Sequence, residues 1–146
     1  MNILITGGNG FLAKELIKYF SKSKTKCNLL VTNRKTLDPT DYENVKSFFN
    51  EVKVDIVIHT AVRGGKRGHF ESIDDIFENI AMFQNLSKFS DKFKLMFNFG
   101  SGAEFDRRFD INGKIEIDIF KATPVDFYGL AKNLITRKIY EMDSNI

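Results

Sequence analysis

The sequence predicts an α/β fold, a doubly wound parallel sheet, and three observations carry that expectation. Short apolar runs rich in β-branched residues alternate with stretches of helical spacing along the 146 residues. A glycine-rich turn, Thr6-Gly7-Gly8-Asn9-Gly10-Phe11-Leu12-Ala13, separates the first such run from the first helical stretch. With 42% hydrophobic and 28% charged residues, the chain has the composition of one ordinary globular domain rather than of a disordered segment.

Each element follows from its own pattern. Met1 to Thr6 reads as a buried strand, and Phe11 to Phe20 as a helix with Phe11, Leu12, Leu16, Ile17 and Phe20 at helical spacing. Cys27 to Thr32 is a second strand, Asp41 to Val52 a helix, and Val54 to His59 a third strand. A long helix follows from Phe70 to Phe89, then a fourth strand from Phe93 to Phe99. Residues 102–124 are loop-rich with a turn at Asn112-Gly113, and Val125 to Met142 is a last helix. Right-handed crossovers between such strands give a parallel sheet in the order 2-1-3-4. Ligands of such sheets bind at the carboxyl ends of the strands, where strands 1 and 3 diverge. No repeat, low-complexity tract or linker interrupts residues 1–146, which read as one domain.

Composition also narrows the function. No apolar run approaches the roughly 18 residues of a membrane span, and Met1 leads straight into the first strand with no room for a signal peptide, so the expected location is cytoplasmic. Cys27 is the single cysteine, which excludes an internal disulfide and suits core filling beside the second strand. His59 ends a buried strand and is expected to satisfy a local hydrogen bond, while His69 has no ligand-spaced partner, so no metal is expected. A net charge of +3 is too small and dispersed to indicate nucleic acid. The 15 phenylalanines are expected to fill the core.

The glycine turn carries the first chemical signal. Gly8-Asn9-Gly10-Phe11-Leu12-Ala13 matches G-x-G-x-x-G/A at a strand-to-helix junction, the pattern of a Rossmann-like dinucleotide cradle. The first small residue permits a tight turn, the second lets the backbone approach a pyrophosphate, and Ala13 lets helix and strand pack closely. Free N–H groups at the helix start meet the diphosphate charge. This makes Gly7, Gly8, Asn9, Gly10, Phe11 and Leu12 cofactor candidates. Beyond the second strand, Thr32-Asn33-Arg34-Lys35 lacks the carboxylate that binds a ribose 2′-hydroxyl. Arg34 and Lys35 either meet a 2′-phosphate, which favours NADP(H) over NAD(H), or remain solvated loop cations.

Tyr128-Gly129-Leu130-Ala131-Lys132 carries the second signal. Four residues apart on a helix, the phenol and the ammonium point the same way, one turn apart. A lysine ammonium beside a phenol stabilises the phenolate, which suits proton transfer near neutral pH. An ordinary amphipathic helix carrying a surface pair is the alternative.

Taken together, Thr6-Gly7-x-x-Gly10-x-x-Ala13, Asp55-x-Val57-Ile58-His59-x-Ala61, Asn79, Ser101 and Tyr128-x-x-x-Lys132 resemble the extended short-chain dehydrogenase/reductases, and within them the NAD-dependent epimerase/dehydratase group that acts on nucleotide sugars. The resemblance implies a catalytic trio of Ser101, Tyr128 and Lys132, with Ser101 hydrogen-bonding the reacting oxygen and Lys132 also holding the nicotinamide ribose. It places Asn33, Asp38, Thr60, Ala61, Val62 and Asn79 around the cofactor and the reacting centre, with Asp38 against the adenine amino group. Ser101 is followed by Gly102-Ala103 instead of the Asp-Glu pair of 4,6-dehydratases, which leaves epimerisation or reduction. Arg63-Gly64-Gly65-Lys66-Arg67-Gly68 is similar to the glycine-containing loop of GDP-fucose synthase-like enzymes and either faces a diphosphate or is a solvated loop. Relatives run on for about another hundred residues or more, so the chain is expected to stop before the C-terminal lobe that holds the sugar nucleotide. The resemblance further implies a homodimer. Its rivals are a non-catalytic dinucleotide-binding regulator and a truncated fragment on the same fold.

Overall fold

The computed structural model describes residues 1–24, 26–65, 70–142 and 146. Four strands, β1 (Asn2–Thr6), β2 (Asn28–Val31), β3 (Ile56–His59) and β4 (Leu95–Asn98), form one parallel sheet in the order β2-β1-β3-β4. The helices among the described residues are α1 (Phe11–Lys22), α2 (Tyr42–Glu51), α3 (Ile73–Ser87) and α4 (Phe127–Glu141), with short 3-10 turns at Ser90–Lys92, Gly102–Phe105 and Glu116–Lys121. This is the α/β, Rossmann-like architecture the sequence predicts. The chain divides into two compact units: Met1–Val62 with Met82–Phe99, and Arg63–Ala81 with the stretch that begins at Gly100 and includes α4.

The first unit holds the sheet. Ile3, Ile5 and Ile58 form a buried cluster with Ala13, against which Leu16, Ile17, Phe20 and half-buried Cys27 pack. The alternate residues Leu4, Val57 and Met96, which are register partners across three strands, are 0%, 0% and 2% exposed. Both faces of the central strands are therefore out of water, as a parallel sheet requires, and each such side chain contributes about 1.5–3 kcal/mol by burial. Phe49 stacks on Phe89 with ring centroids 5.3 Å apart and lies 5.9 Å from Phe93, which extends the core beyond the sheet. Strand β2 has a sheet neighbour on only one side, and its end residues Asn28 and Val31 are exposed.

In the second unit the stretch from Gly100 to α4 has two 3-10 turns as its only regular structure and is held by side chains bonded to backbone. Asn133, 2% exposed, donates from Nδ2 to the carbonyls of Glu104 (2.9 Å) and Ile119 (3.1 Å). Arg137 donates from Nη2 to the carbonyls of Ile119 (3.0 Å) and Ala122 (2.7 Å), closing the end of the 3-10 turn at Glu116–Lys121. A Cβ on Gly129 would lie 2.6 Å from the Ala103 carbonyl oxygen, so only glycine lets α4 approach the 3-10 turn after Ser101.

Two helix starts and the placement of the phenylalanines need correction. The long helix starts at Ile73 and not at Phe70, because Asp75 closes its first turn: Asp75 Oδ2 accepts from the Ser72 N–H (3.0 Å) and the Asp75 N–H donates to the Ser72 carbonyl (3.0 Å). Likewise α4 begins after Asp126, whose Oδ1 accepts from the Gly129 N–H at 2.7 Å. The phenylalanines do not all fill the core. Phe49, Phe83, Phe89 and Phe93 are buried, whereas Phe11, Phe70, Phe77, Phe97, Phe109 and Phe120 are exposed. Aromatic content alone does not distinguish an inward from an outward helix position.

Candidate functional site

The glycine turn lies in the first unit. Gly7 adopts φ +69°, and a Cβ there would fall 2.7 Å from the backbone N and Cα of Ala61. It is thus Gly7, one residue before the G-x-G-x-x-A window, that the tight turn requires to be glycine. Gly8 is small for a different reason: a Cβ there would overlap the Val31 side chain and stand 3.1 Å from the Thr32 carbonyl oxygen. Its N–H donates to that carbonyl at 2.7 Å, and the Gly10 N–H donates to the Gly7 carbonyl at 2.8 Å. Asn9, Gly10, Phe11 and Leu12 are exposed at the start of α1, which has no side-chain cap and no acidic residue in its first turn. Ala13 is fully buried against the sheet.

Side chains at the ends of β1 and β3 complete this region. Thr6 Oγ1 and His59 Nδ1 lie 2.8 Å apart, both residues buried, so His59 has the local hydrogen bond expected of it. Thr60 Oγ1 donates to the Thr6 carbonyl at 2.5 Å and the Ala61 N–H donates to Thr6 Oγ1 at 3.3 Å. Thr60 and Ala61 are therefore brought to the glycine turn, with Val62 next in the chain. An uncapped helix start, glycine-lined backbone and no carboxylate in the first turn fit the two negative charges of a dinucleotide pyrophosphate.

Beyond β2 the loop is tied to itself. Asn33 Oδ1 accepts from the Lys35 N–H at 2.9 Å, and Arg34 Nε donates to Asp38 Oδ2 at 2.9 Å. Asp38 Oδ1 accepts from the Thr40 N–H (3.0 Å) and hydroxyl (2.7 Å). Burial pushes the Asp38 carboxyl upward, but the Thr40 hydroxyl, the Thr40 amide and Arg34 together hold it below the usual carboxylate range. Asp38 thus spends both oxygens inside its own loop, and an adenine amino group would have to share one of them.

The second unit holds the remaining candidates. Ser101 precedes the 3-10 turn at Gly102–Phe105 and caps it reciprocally. Its Oγ accepts from the Ala103 N–H at 3.2 Å, while its own N–H donates to Glu104 Oε1 at 2.6 Å. Because a backbone N–H occupies one lone pair, the Ser101 hydroxyl keeps its proton for another acceptor. Tyr128 and Lys132 lie one turn apart on α4, Tyr128 half-buried and Lys132 only 8% exposed. Burial pushes the Lys132 ammonium down from the ordinary lysine value, and the Glu104 carboxylate works against that fall. Asn79, 3% exposed, donates from Nδ2 to the Arg63 and Asp75 carbonyls and accepts the Arg63 N–H on Oδ1 (2.9 Å). It clamps the start of the glycine loop by its backbone. The Arg63 guanidinium lies 3.1 Å from Glu78 and 3.5 Å from Asp75. Lys66, Arg67, Gly68 and His69 lie outside the described residues.

Sequence reasoning missed Glu104, Glu71 and Asn133. Glu104 had a readable signal, the S-x-x-E capping pattern of Ser101-Gly-Ala-Glu104. Asn133 and Glu71 reach residues as far as 29 and 57 positions away and had none. Among the described residues, no group of three or more His, Cys, Asp and Glu side chains is placed to hold a metal ion, and no helix is long and apolar enough to cross a membrane.

A parallel α/β sheet with a glycine turn of this geometry defines the class of dinucleotide-binding domains. More particularly, the chain belongs to the NAD dependent epimerase/dehydratase family, whose model matches residues 3–144. No curated protein matches it. Among solved structures it is similar to a GDP-mannoheptose C4 reductase from Campylobacter jejuni with NADP bound, at 25% identity and TM-score 0.80, over 95% of this chain and 45% of that one. It is also similar to a GDP-D-glycero-L-gluco-heptose synthase from Campylobacter jejuni in the presence of NADPH, at 25% identity and TM-score 0.81, over 97% and 44% of the two chains. A GDP-L-fucose synthetase from Naegleria fowleri bound to NADP shares the fold at 22% identity and TM-score 0.77, over 94% and 45%. The chain spans less than half the length of each of these proteins.

Proposed function

We propose that residues 1–146 are a nicotinamide-dinucleotide-binding domain that takes NADP(H) in preference to NAD(H), and that its chemistry is redox conversion of a nucleotide-linked sugar, by reduction or epimerisation. The observation that carries the chemical half is the burial of Lys132, 8% exposed one turn from Tyr128. A lysine of an ordinary surface pair keeps its ammonium in water, whereas burying one costs free energy that a fold retains for a purpose. Family membership and the NADP or NADPH named for two neighbours at 25% identity support the cofactor.

When bound, the nicotinamide supplies or accepts hydride. In the reductive direction the Tyr128 hydroxyl gives its proton to the sugar oxygen as a carbonyl becomes an alcohol, and in the oxidative direction the phenolate takes it back. Ser101 donates its hydroxyl hydrogen to the same oxygen. Lys132 favours the phenolate and hydrogen-bonds the ribose. The glycine turn and the start of α1 hold the pyrophosphate, and Arg34 with Lys35 meet a 2′-phosphate.

The test is a parallel titration with NADPH and NADH, following nicotinamide fluorescence and Tm. NADPH at about 100 times its Kd stabilises the fold by about 2.7 kcal/mol. Binding of neither dinucleotide would overturn the cofactor reading. With NADPH bound, GDP-linked 4-keto sugars are then offered, and Tyr128→Phe is expected to cut turnover by about 100-fold or more. NADPH binding with no turnover of any nucleotide sugar would instead favour a dinucleotide-binding regulator.

A further inference from the structure

The glycine loop at Arg63-Gly64-Gly65 is held from two sides, and one of the holders also touches Tyr128. Asn79 fixes the Arg63 N–H and carbonyl. Glu71 spans the other end: its Oε1 accepts from the Gly65 N–H at 3.1 Å, and its Oε2 accepts from the Tyr128 N–H at 2.9 Å. One half-buried carboxylate thus ties together two backbone positions that are 63 residues apart in sequence. Gly65, at φ +71°, lies against the tyrosine ring itself. A Cβ there would stand 2.9 Å from Tyr128 Cε2 and 3.1 Å from Cδ2 and Cζ, so an α-hydrogen of Gly65 is directed at the ring face over Cε2, next to the carbon that carries the hydroxyl.

We propose that Glu71 is a positioning residue for Tyr128, a clamp that seats Gly65 against the phenol ring and so fixes where the tyrosine hydroxyl points. The proposal rests on the reading of Tyr128 as the proton-transfer group. It gives the glycine loop a role that differs from both a diphosphate contact and a solvated turn. The chemistry requires these residue types. A carboxylate has two acceptor oxygens and can serve two N–H donors at once, whereas an amide offers one oxygen and turns its NH2 towards the other donor. Glycine at position 65 supplies both the positive φ and the absence of a side chain where the ring lies. Holding a proton donor to within a fraction of an ångström is what separates productive from unproductive geometry in acid–base catalysis.

The clamp is tested by NMR on the full chain, without need of a substrate. In the wild type, the Gly65 α-protons give NOEs to the Tyr128 ring and carry a ring-current shift. Tyr128→Phe keeps both signals, and Tyr128→Leu removes them, which assigns them. Glu71→Gln is expected to abolish the NOEs and return the Gly65 α-proton shift towards that of an ordinary glycine, with the NADPH-induced rise in Tm unchanged. Gly65→Ala, which leaves Glu71 intact, is expected to displace the Tyr128 ring resonances while those of Tyr19, Tyr42 and Tyr140 stay in place. Persistence of the NOEs and of the shift in Glu71→Gln would overturn the proposal, as would unchanged Tyr128 resonances in Gly65→Ala. A Tyr128→Phe protein with full turnover would remove the proton-transfer reading instead, and the NOE result would still decide whether the clamp exists.

Discussion

The two units place their candidate functional groups by different means. In the first, the groups offered to a ligand are main-chain: the N–H groups at the start of α1 and a turn whose shape depends on Gly7 at φ +69° and on the space left by Gly8. In the second they are the side chains of Ser101, Tyr128 and Lys132, set by other side chains that reach across the sequence to backbone atoms. Asn133 holds the Glu104 and Ile119 carbonyls, Glu71 the Gly65 and Tyr128 N–H groups, and Asn79 the Arg63 peptide. A cradle of backbone is defined by what is absent at a position, a Cβ. A cluster of side chains is defined by what is present somewhere else. The first kind of site is broken by adding a methyl group, the second by removing a polar one.

The sharpest break is therefore Gly7→Ala. It forces a Cβ to 2.7 Å from the Ala61 backbone at a φ that L residues avoid, and neither fault is relieved by a rotamer. Left-handed strain and overpacking together cost about 2–5 kcal/mol. Thermal denaturation should show a Tm lower by about 10 °C or more, with dinucleotide binding lost. A Tm within a degree of wild type would mean that the turn relaxes freely and is not the rigid cradle it resembles.

Next comes the corresponding break in the second unit, Asn133→Ala. The Ile119 carbonyl keeps the Arg137 guanidinium at 3.0 Å, whereas the Glu104 carbonyl loses the Asn133 amide that donates to it at 2.9 Å. One buried carbonyl left without a donor costs about 1–3 kcal/mol. Denaturant unfolding should therefore show a loss close to 2 kcal/mol, and dinucleotide binding should remain, because the glycine turn proposed to hold the pyrophosphate lies in the first unit. If Asn133→Ala abolished NADPH binding as fully as Gly7→Ala, the separation of the two modes of construction would fail.

The same contrast decides what could be read from the sequence. Strand order, the alternation of strand and helix, and the glycine turn follow from local periodicity and from residue types with few uses. The structure moved only the reason for one glycine, from Gly8 to Gly7. The starts of α3 and α4 shifted where a carboxylate, Asp75 or Asp126, bonded to a backbone N–H of the first turn and overrode an apolar residue upstream that looked helical. Tyr128 and Lys132 were legible because a helix places residues four apart on one side. Their supports were not, since a glutamate at position 71 or an asparagine at position 133 has no local pattern that announces a partner 57 or 29 residues away. Only Glu104, inside a capping pattern with Ser101, was within reach. Arg34 and Asp38 illustrate a further limit. The sequence offered one for a phosphate and the other for an adenine, and the structure pairs them with each other at 2.9 Å.

A pH series sharpens the second unit specifically. Burial lowers the Lys132 ammonium pKa in the folded protein, with Glu104 opposing the fall, while the unfolded chain keeps a value near 10.5. Between the lowered folded value and 10.5 the unfolded state binds more protons, so stability rises with pH through that window; below it the cost is constant. Lys132→Met lacks this contribution. The difference in Tm between Lys132→Met and wild type should therefore shrink as pH climbs from neutrality towards the lysine range. A difference that stays constant across the series would place the Lys132 charge in a water-like setting and undercut its role beside Tyr128.

The smallest effect on stability belongs to Arg34→Ala, and it is the most selective. The Arg34 side chain is 59% exposed and pairs with Asp38 in the loop after β2, an arrangement worth at most about 1 kcal/mol in water. Tm should hardly move, since Asp38 retains both hydrogen bonds from Thr40. If the guanidinium turns from Asp38 to a 2′-phosphate, it exchanges one carboxylate for another anion, and the gain is a charge-assisted contact worth about 1.5–3 kcal/mol. Fluorescence titration should then show NADPH bound about tenfold or more weakly by Arg34→Ala, with NADH affinity unchanged. The paired variant Asp38→Asn tests the same exchange from the other side. By releasing Arg34 it should strengthen NADPH binding, whereas an Asp38 that holds the adenine amino group would make the substitution weaken NADPH and NADH alike. Opposite signs for the two cofactor readings, at a position where the fold itself is nearly indifferent, make this loop the place where the specificity of the first unit can be decided apart from its stability.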